Sequence, residues 1–228
     1  MPQHDNTQAA PCHYVEAGAI PADLVSYVEA VILPRYDHFD KAHRRDHADM
    51  VISQSLQLAS QLNLRPDIAY TIAAYHDTGL CQGRERHHEV SAQIILADTR
   101  LRRWFTDDEI TLIAQAAEDH RASSGHQPRS IYGRVVAEAD RFIDPHTIIR
   151  RTIQYGLEHY PHLSPEEHYR RMLDHLCEKY GRGGYLHLWF PDSPNARRLE
   201  QLRQMMLDED LLRDLFNQFF NIELTDVH

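Results

Sequence analysis

The segment PDIAYTIAAYHDTG, residues 66–79, decides the fold of this chain. Pro66 suits the first turn of a helix, and the apolar residues after it recur at helical spacing up to Gly79. The adjacent polar residues His76 and Asp77 stand where this helix should end. Neighbouring side chains on a helix point about 100° apart, so both can reach one centre only at a helix end that faces a cavity. The segment predicts a buried helix that ends in a pair of ligand-type side chains.

The rest of the chain also has helical patterning. Apolar stripes at helical spacing run through residues 24–32 and 51–62, and Thr106 with Glu109 has the spacing of a capping box. There is no internal repeat and no series of alternating strands. Residues 186–194 form the only strand-like or irregular stretch. These patterns predict an all-α architecture.

We expect three parts along the chain. Residues 1–20 form a loose N-terminal arm, residues 21–145 a helical domain that contains the His76–Asp77 pair, and residues 146–228 a C-terminal helical extension that packs on or caps the same domain. The extension could complete the core, act as a lid or form a homodimer surface.

The composition excludes several classes of function. The 228 residues carry a formal net charge of −10, from 24 Lys and Arg residues against 34 Asp and Glu residues. Such a chain lacks the basic surface that grips duplex nucleic acid, although local arginines and metal ions can still hold a small phosphorylated substrate. The three cysteines are far apart, which favours a reducing compartment, and no apolar stretch approaches the ~20 residues of a membrane span. We expect a cytoplasmic protein without a membrane or duplex nucleic-acid partner.

Histidine is frequent, with 17 in the chain, but few positions fit a shared site. Besides the His76–Asp77 pair, the candidates at helix ends or on inward faces are His47, His88, His120 and Asp140. Two rivals remain, since His43 lies on the same helical face as His47 and His87 adjoins His88. Imidazoles and carboxylates without thiolates suit a divalent ion such as Fe, Mn, Co, Ni, Zn or Mg. Asp77 has two oxygens and could bridge two such ions.

The order of these residues resembles the signature of the HD-domain superfamily of metal-dependent phosphohydrolases. The matching elements are His47, the dyad in IAAYHDTG, the segment HHEVSAQI, the segment DHRASSG and Asp140 in EADR. The resemblance covers roughly residues 37–145 and implies an HD-domain helical bundle with a C-terminal helical extension. It also favours His47 over His43, because the first histidine of the family is followed four residues later by a core aliphatic residue, here Val51.

The resemblance implies specific roles for these residues. His47, His76, Asp77 and Asp140 would hold one ion. His88 and His120 resemble the extra ligands of two-metal members such as the HD-GYP phosphodiesterases, with Asp77 as the bridge. No GYP element is present, so the cyclic-dinucleotide activity of those members is not carried over. Catalysis would depend on Asp77, His76 and Arg121. Because a guanidinium fork matches a phosphate, the expected substrate-binding residues are Arg121 first and then Arg84, Arg86 and Arg45.

The expected activity is hydrolysis of a phosphate ester of a small metabolite, with a nucleotide as the favoured class, by metal-activated hydroxide. A phosphodiesterase or a dinucleoside-polyphosphate hydrolase could use the same site. Some relatives with this ligand set are di-iron oxygenases. A non-catalytic metal- or nucleotide-binding module is the remaining alternative, and the complete ligand set disfavours it.

Overall fold

The computed structural model describes residues 19–40, 43–121 and 126–226. Within these ranges the chain forms helices and connecting turns and no strand, which confirms the all-α prediction. The predicted arm over residues 1–20 lies almost wholly outside the described residues. Residues 186–193 join two helices and are themselves neither helix nor strand.

Ten α-helices occur in the described ranges. They are α1 (Ala22–Tyr27), α2 (Arg45–Gln61), α3 (Pro66–Tyr75), α4 (His87–Ala97), α5 (Asp107–Glu118), α6 (Ile131–Ala139), α7 (Pro145–His159), α8 (Pro165–Tyr180), α9 (Pro194–Leu207) and α10 (Glu209–Asp226). Short π-helical or 3-10 segments lie at Val28–Ile32, Leu33–His38, Thr78–Gln82 and Thr99–Arg103. None of the described helices is both long and apolar enough to cross a bilayer.

Helix α3 is the central helix of the N-terminal half, because its sequence is almost entirely apolar or small. Every residue from Ile68 to Tyr75 is buried, and α2, α5 and α6 pack around this helix in one hydrophobic core. The polar His76 and Asp77 follow directly, and both are also buried. Burying ionisable groups is costly unless they are paired or bound to an ion. The apolar helix therefore carries a polar pair into the interior, where it needs partners.

Side-chain caps define where two further helices of this half begin. Thr106 and Glu109 form the predicted capping box at the start of α5, and Ser130 caps α6 by accepting from a backbone N–H in its first turn. Loss of such a cap typically costs about 1 kcal/mol. The opposite ends of α5 and α6 lead to His120 and Asp140, so the caps help to set the positions of both side chains.

Helices α7 to α10 build a second hydrophobic core of Ile, Leu, Met, Tyr and Phe side chains. Glu138, a buried residue of α6, ties the two halves together. Its Oε2 accepts from the backbone N–H groups of Trp189 and Phe190 at 2.6 and 2.9 Å, and its carbonyl accepts from Asn195 Nδ2 at 2.7 Å. The C-terminal half is therefore hydrogen-bonded to α6 at Glu138, which is two residues before Asp140.

Candidate metal centre

Three side chains converge where α3 ends. His76 and Asp77 follow α3, and His47 lies in the first turn of α2. The Nε2 atoms of His47 and His76 are 3.3 Å apart, and Asp77 Oδ2 lies 3.6 Å from the first and 3.3 Å from the second. Two ligands that each bind one ion at about 2.1 Å are separated by distances of this size. These three donors are compatible with one divalent ion.

Asp140 joins this first group from the opposite side. It is the residue directly after α6, and its Oδ1 lies 3.1 Å from His47 Nε2 and 3.6 Å from His76 Nε2. The four residues expected to share one ion are therefore brought together from three helices.

A second group of donors shares Asp77. Its other oxygen, Oδ1, lies 3.4 Å from His87 Nε2 and 3.4 Å from His120 Nε2, and these two nitrogens are 3.2 Å apart. His87 opens α4, and His120 follows the end of α5. This group is also compatible with an ion. Asp77 thus directs one oxygen into each group, which is the arrangement of a bridging carboxylate.

Backbone carbonyls orient three of the four imidazoles. The Nδ1 atoms of His76, His120 and His87 lie 2.7, 2.6 and 2.7 Å from the carbonyl oxygens of Ala73, Ala117 and Arg84, each three residues earlier. An Nδ1–H that donates to a carbonyl leaves the Nε2 lone pair free to bind an ion. In all three residues that Nε2 is the atom that faces Asp77.

The structure brings His87, and not His88, to the second group. His88 Nε2 lies 3.9 Å from Glu89 Oε1, and its Nδ1 is buried without a hydrogen-bond partner. The physical reason is the 100° turn between neighbouring helical residues, which directs one of the two side chains away from the site. The preference for His88 is therefore corrected to His87.

His43 and His47 do not share a helix, because α2 begins at Arg45. His43 Nδ1 lies 2.8 Å from Asp40 Oδ1, and its ring packs edge-on against His47 at 5.8 Å. His43 therefore adjoins the donor groups without belonging to them, and the structure brings His47 to the first group.

Two of the four candidate arginines line the cavity at the site. Arg121 follows His120 directly, and its Nη1 donates to the carbonyl of Glu85. Arg84 lies 3.5 Å from His43 Nε2 and is exposed. Both therefore border the space in front of the donor groups.

The other two candidates, Arg45 and Arg86, do not line this cavity. Arg45 pairs with Glu29 and with Asp49 on its own helix. Arg86 pairs with Glu89 on the surface. Arg45 faces the π-helical segment Val28–Ile32 and Arg86 faces solvent, so the expected role of both in substrate binding is not supported by their positions.

Without an ion, the two carboxylates change the protonation of the histidines. Burial lowers the pKa of His76, but the charges of Asp77 and Asp140 and their hydrogen bonds outweigh burial and raise it to about 10. Burial lowers the pKa of His87, and the charge of His120 lowers it further. Burial raises the pKa of Asp77, yet the neighbouring imidazoles bring it well below its usual range. Near neutral pH the metal-free site therefore holds a proton on His76, whereas burial favours the neutral form of His87.

This difference predicts that metal binding releases a proton from His76. At pH 7.5 the incoming ion must displace that proton, and the affinity should therefore rise with pH up to about 10, the pKa of His76. Calorimetric titration of the metal-free protein in buffers of different ionisation enthalpy should show release of about one proton. If the observed binding enthalpy is the same in every buffer, no proton is released, and this result would contradict the raised pKa of His76.

Tyr36 is a buried residue of the site region that the sequence did not single out. Its hydroxyl donates to the carbonyl of Ala74 at 3.0 Å and accepts from the backbone N–H of Asp77 at 3.3 Å. Burial and the charge of Asp77 raise the pKa of this hydroxyl well above its usual value, so it stays protonated. Tyr36 positions the end of α3. It belongs to a separate turn, and nothing in its local sequence pattern relates it to the His76–Asp77 pair.

Gly79 allows the turn after Asp77 to lie directly against α4. A Cβ at this position would lie 2.0 Å from the carbonyl oxygen of His87 and 2.6 Å from the nitrogen of Ser91. Both atoms belong to the backbone, so no side-chain rotation can relieve the overlap. The glycine therefore sets the distance between Asp77 and the helix that carries His87.

Gly79→Ala is expected to destabilise the protein by about 1–3 kcal/mol, because overpacking forces the backbone to shift. It should also weaken binding of the second ion, since α4 moves away from Asp77. The matched control is Gly183→Ala, where a Cβ would meet nothing within 4 Å. Denaturant unfolding and metal stoichiometry test both effects. Equal stability of the two variants would show that the close approach is unimportant.

A cavity of about 1270 Å³ extends from the donor groups into the C-terminal half. His47 and Asp140 line one end, and residues of α7 and α8 together with the segment 185–189 line the rest. This volume exceeds the roughly 300–1,000 Å³ of most small-molecule sites. The donors therefore lie at one end of a space large enough for an extended ligand.

Residues 44–143 match the family model of the HD domain. The matched region, residues 44–143, is an HD domain. The match confirms the resemblance found in the sequence. The candidate ligands that lie inside it are His47, His76, Asp77, His87, His88, His120 and Asp140. A search of curated proteins and a search of solved structures found no significant match. The HD domain accounts for less than half of the chain, and Tyr36 and helices α7 to α10 lie outside the matched range.

Proposed function

We propose that this chain hydrolyses a phosphate ester of a small metabolite, with a nucleotide as the expected class, and that one or two divalent ions assist it. HD domains belong to a superfamily of metal-dependent phosphohydrolases, and the proposal extends that chemistry to this cavity. The observation that carries it is the pair of donor groups that share Asp77 at one end of a large cavity.

The donor chemistry fits the proposed ions. His47, His76, Asp77 and Asp140 would hold one ion, and His87, His120 and Asp77 a second. Their imidazole nitrogens and carboxylate oxygens are the ligands that first-row divalent ions and magnesium take. When bound, such ions act as Lewis acids on a phosphoryl oxygen and lower the pKa of water.

The chain's own residues would bind and orient the substrate. Arg121 and Arg84 border the donor groups and can hold phosphate oxygens, and Arg121 is itself positioned by the carbonyl of Glu85. Tyr36 and the carbonyls behind the histidines hold the ligands in place, so that no ligand has to move when the substrate enters. This preorganisation is what phosphoester hydrolysis requires of a protein.

The volume of the cavity favours a second candidate. A space of about 1270 Å³ can hold more than a mononucleotide, so hydrolysis of a phosphodiester or of a dinucleoside polyphosphate fits the same site.

The test is an activity screen of the purified chain with Mn, Fe, Co, Ni, Zn and Mg. Substrates should include nucleoside monophosphates, sugar phosphates, p-nitrophenyl phosphate, bis-p-nitrophenyl phosphate and dinucleoside polyphosphates. Phosphate release from monoesters supports the first candidate, and turnover of only the diesters or polyphosphates supports the second. Iron-dependent oxygen consumption without phosphate release would replace hydrolysis with an oxygenase activity. Metal binding with no turnover of any kind would leave a binding module.

A further inference from the structure

The cavity wall is basic, in contrast to the chain as a whole. Six Arg and Lys side chains line it, against only two carboxylates, Asp119 and Asp140. Asp140 belongs to the first donor group, and Asp119 is buried in an ion pair with Arg129. The chain overall has 34 acidic and 24 basic residues. The cavity therefore gathers positive charge that these two carboxylates do not neutralise.

Part of this charge lies on one face of α8, far along the sequence from the HD domain. Arg171, His175 and Lys179 recur every four residues, so they share a face and extend over about 12 Å. All three are half-buried and line the cavity. We call these three residues the α8 stripe.

The two cations at the ends of the α8 stripe, Arg171 and Lys179, are not fully satisfied by the protein around them. Arg171 Nη2 donates to the carbonyl of Thr152, while its Nε is buried without a hydrogen-bond partner. Burial lowers the pKa of Lys179, and the positive charge of Arg141 lowers it further. No ion pair with a carboxylate involves either residue within the described ranges.

Arg141 extends this arrangement towards the metal centre. It follows Asp140 in the sequence, its Nη1 donates to the carbonyl of His187, and its Nε is buried without a hydrogen-bond partner. Arg141 and Lys179 are two cations that line the same cavity, and the charge of Arg141 lowers the pKa of Lys179. Holding two cations together costs free energy unless an anion binds between or beside them.

We propose that the α8 stripe and Arg141 form a second anion subsite that takes a phosphate group remote from the hydrolysed ester. The proposal rests on the proposed function, because it places the reacting phosphate at the HD-domain donors. The substrate class is then a metabolite with two or more phosphate groups, one at each part of the cavity. A separate inorganic phosphate acting as an effector has the same chemistry and is distinguished below.

The test compares alkyl monophosphates with α,ω-alkane bisphosphates of the same chain length, from three to ten carbons. Affinity for the metal-loaded full-length protein is measured by calorimetry, which does not depend on turnover. At the best length we expect the bisphosphate to bind at least about tenfold more tightly, the gain typical of one charge-assisted contact. Lys179→Gln and Arg171→Gln should each remove most of this gain, and Lys179→Arg should restore it.

Arg170→Gln is the matched control. Arg170 lies next to Arg171 on the same helix, is exposed and does not line the cavity, so its loss removes the same charge without touching the subsite. Monophosphate affinity should be unchanged in all variants, which shows that the metal centre and the fold are intact.

Each outcome has a distinct meaning. A bisphosphate advantage that depends on Lys179 supports a second phosphate on the substrate. Monophosphate binding that tightens when inorganic phosphate is added, and only when Lys179 is present, supports the subsite and assigns it to an effector. Equal affinities at every length, or an advantage that survives both Gln variants, would overturn the proposal. If the wild-type protein hydrolyses no phosphate ester but still binds the bisphosphate more tightly than the monophosphate, the proposed function is overturned and the second subsite is retained.

Discussion

Asp77→Asn is expected to abolish binding of the second ion, to weaken binding of the first, and to reduce phosphate-ester hydrolysis by more than about 100-fold. That reduction exceeds the roughly 10–100-fold loss that follows when only a residue behind a metal ligand is replaced. Asp77 directs one oxygen into each donor group, and these oxygens lie 3.3–3.6 Å from four histidine nitrogens. The amide keeps the shape of the side chain but has no negative charge and only one acceptor oxygen. The second group then has no carboxylate, and the first group retains only that of Asp140.

Metal content by elemental analysis and initial rates with the best substrate of the activity screen measure this effect. The control is Asp49→Asn, which removes a carboxylate from an exposed position of α2 away from the cavity. Asp49→Asn should retain both ions and full activity. Retention of two ions by Asp77→Asn would show that the carboxylate does not bridge.

Replacement of the two adjacent histidines is expected to give opposite results. His87→Ala should lower the stoichiometry from two ions to one, because it removes one of the three donors of the second group. His88→Ala should leave two ions, since its Nε2 faces Glu89. The two variants change the same residue type in the same helical turn, so each controls for the other.

Elemental analysis after dialysis against limiting metal, together with thermal unfolding, measures both variants. Two ions in His87→Ala and one in His88→Ala would reverse the assignment. One ion in the wild type, unchanged in both variants, would show that only the first donor group binds metal.

Local sequence patterns predicted much of the fold. The apolar composition of α3 and the Pro66 start indicated a buried helix, and the capping box at Thr106 and Glu109 lies where its spacing indicated. These features depend on contacts within a few residues, and a sequence reports such contacts directly. The His76–Asp77 pair was identifiable for the same reason, since polar residues that end a buried helix need a partner.

Other features of the site depend on how whole helices are placed. The choice between His87 and His88 is set by the rotation of α4 about its axis, and the close approach at Gly79 sets how near that helix lies to Asp77. The sequence ranked Arg121 first, but it named Arg84, Arg86 and Arg45 as further substrate-binding candidates. Only the direction in which each helix or loop faces separates the cavity arginines from those paired at the surface.

The all-α fold, the HD-domain resemblance and the types of donor side chain can be read from the sequence, because residue types, their order and their places at predicted helix ends are properties of the chain before it folds. Tertiary structure alone decided that Asp77 directs one oxygen into each of two groups, that Tyr36 holds its backbone, and that α8 adds a basic wall to the cavity. These relations join residues tens of positions apart through the packing of helices, and packing geometry is not encoded in any short stretch of sequence.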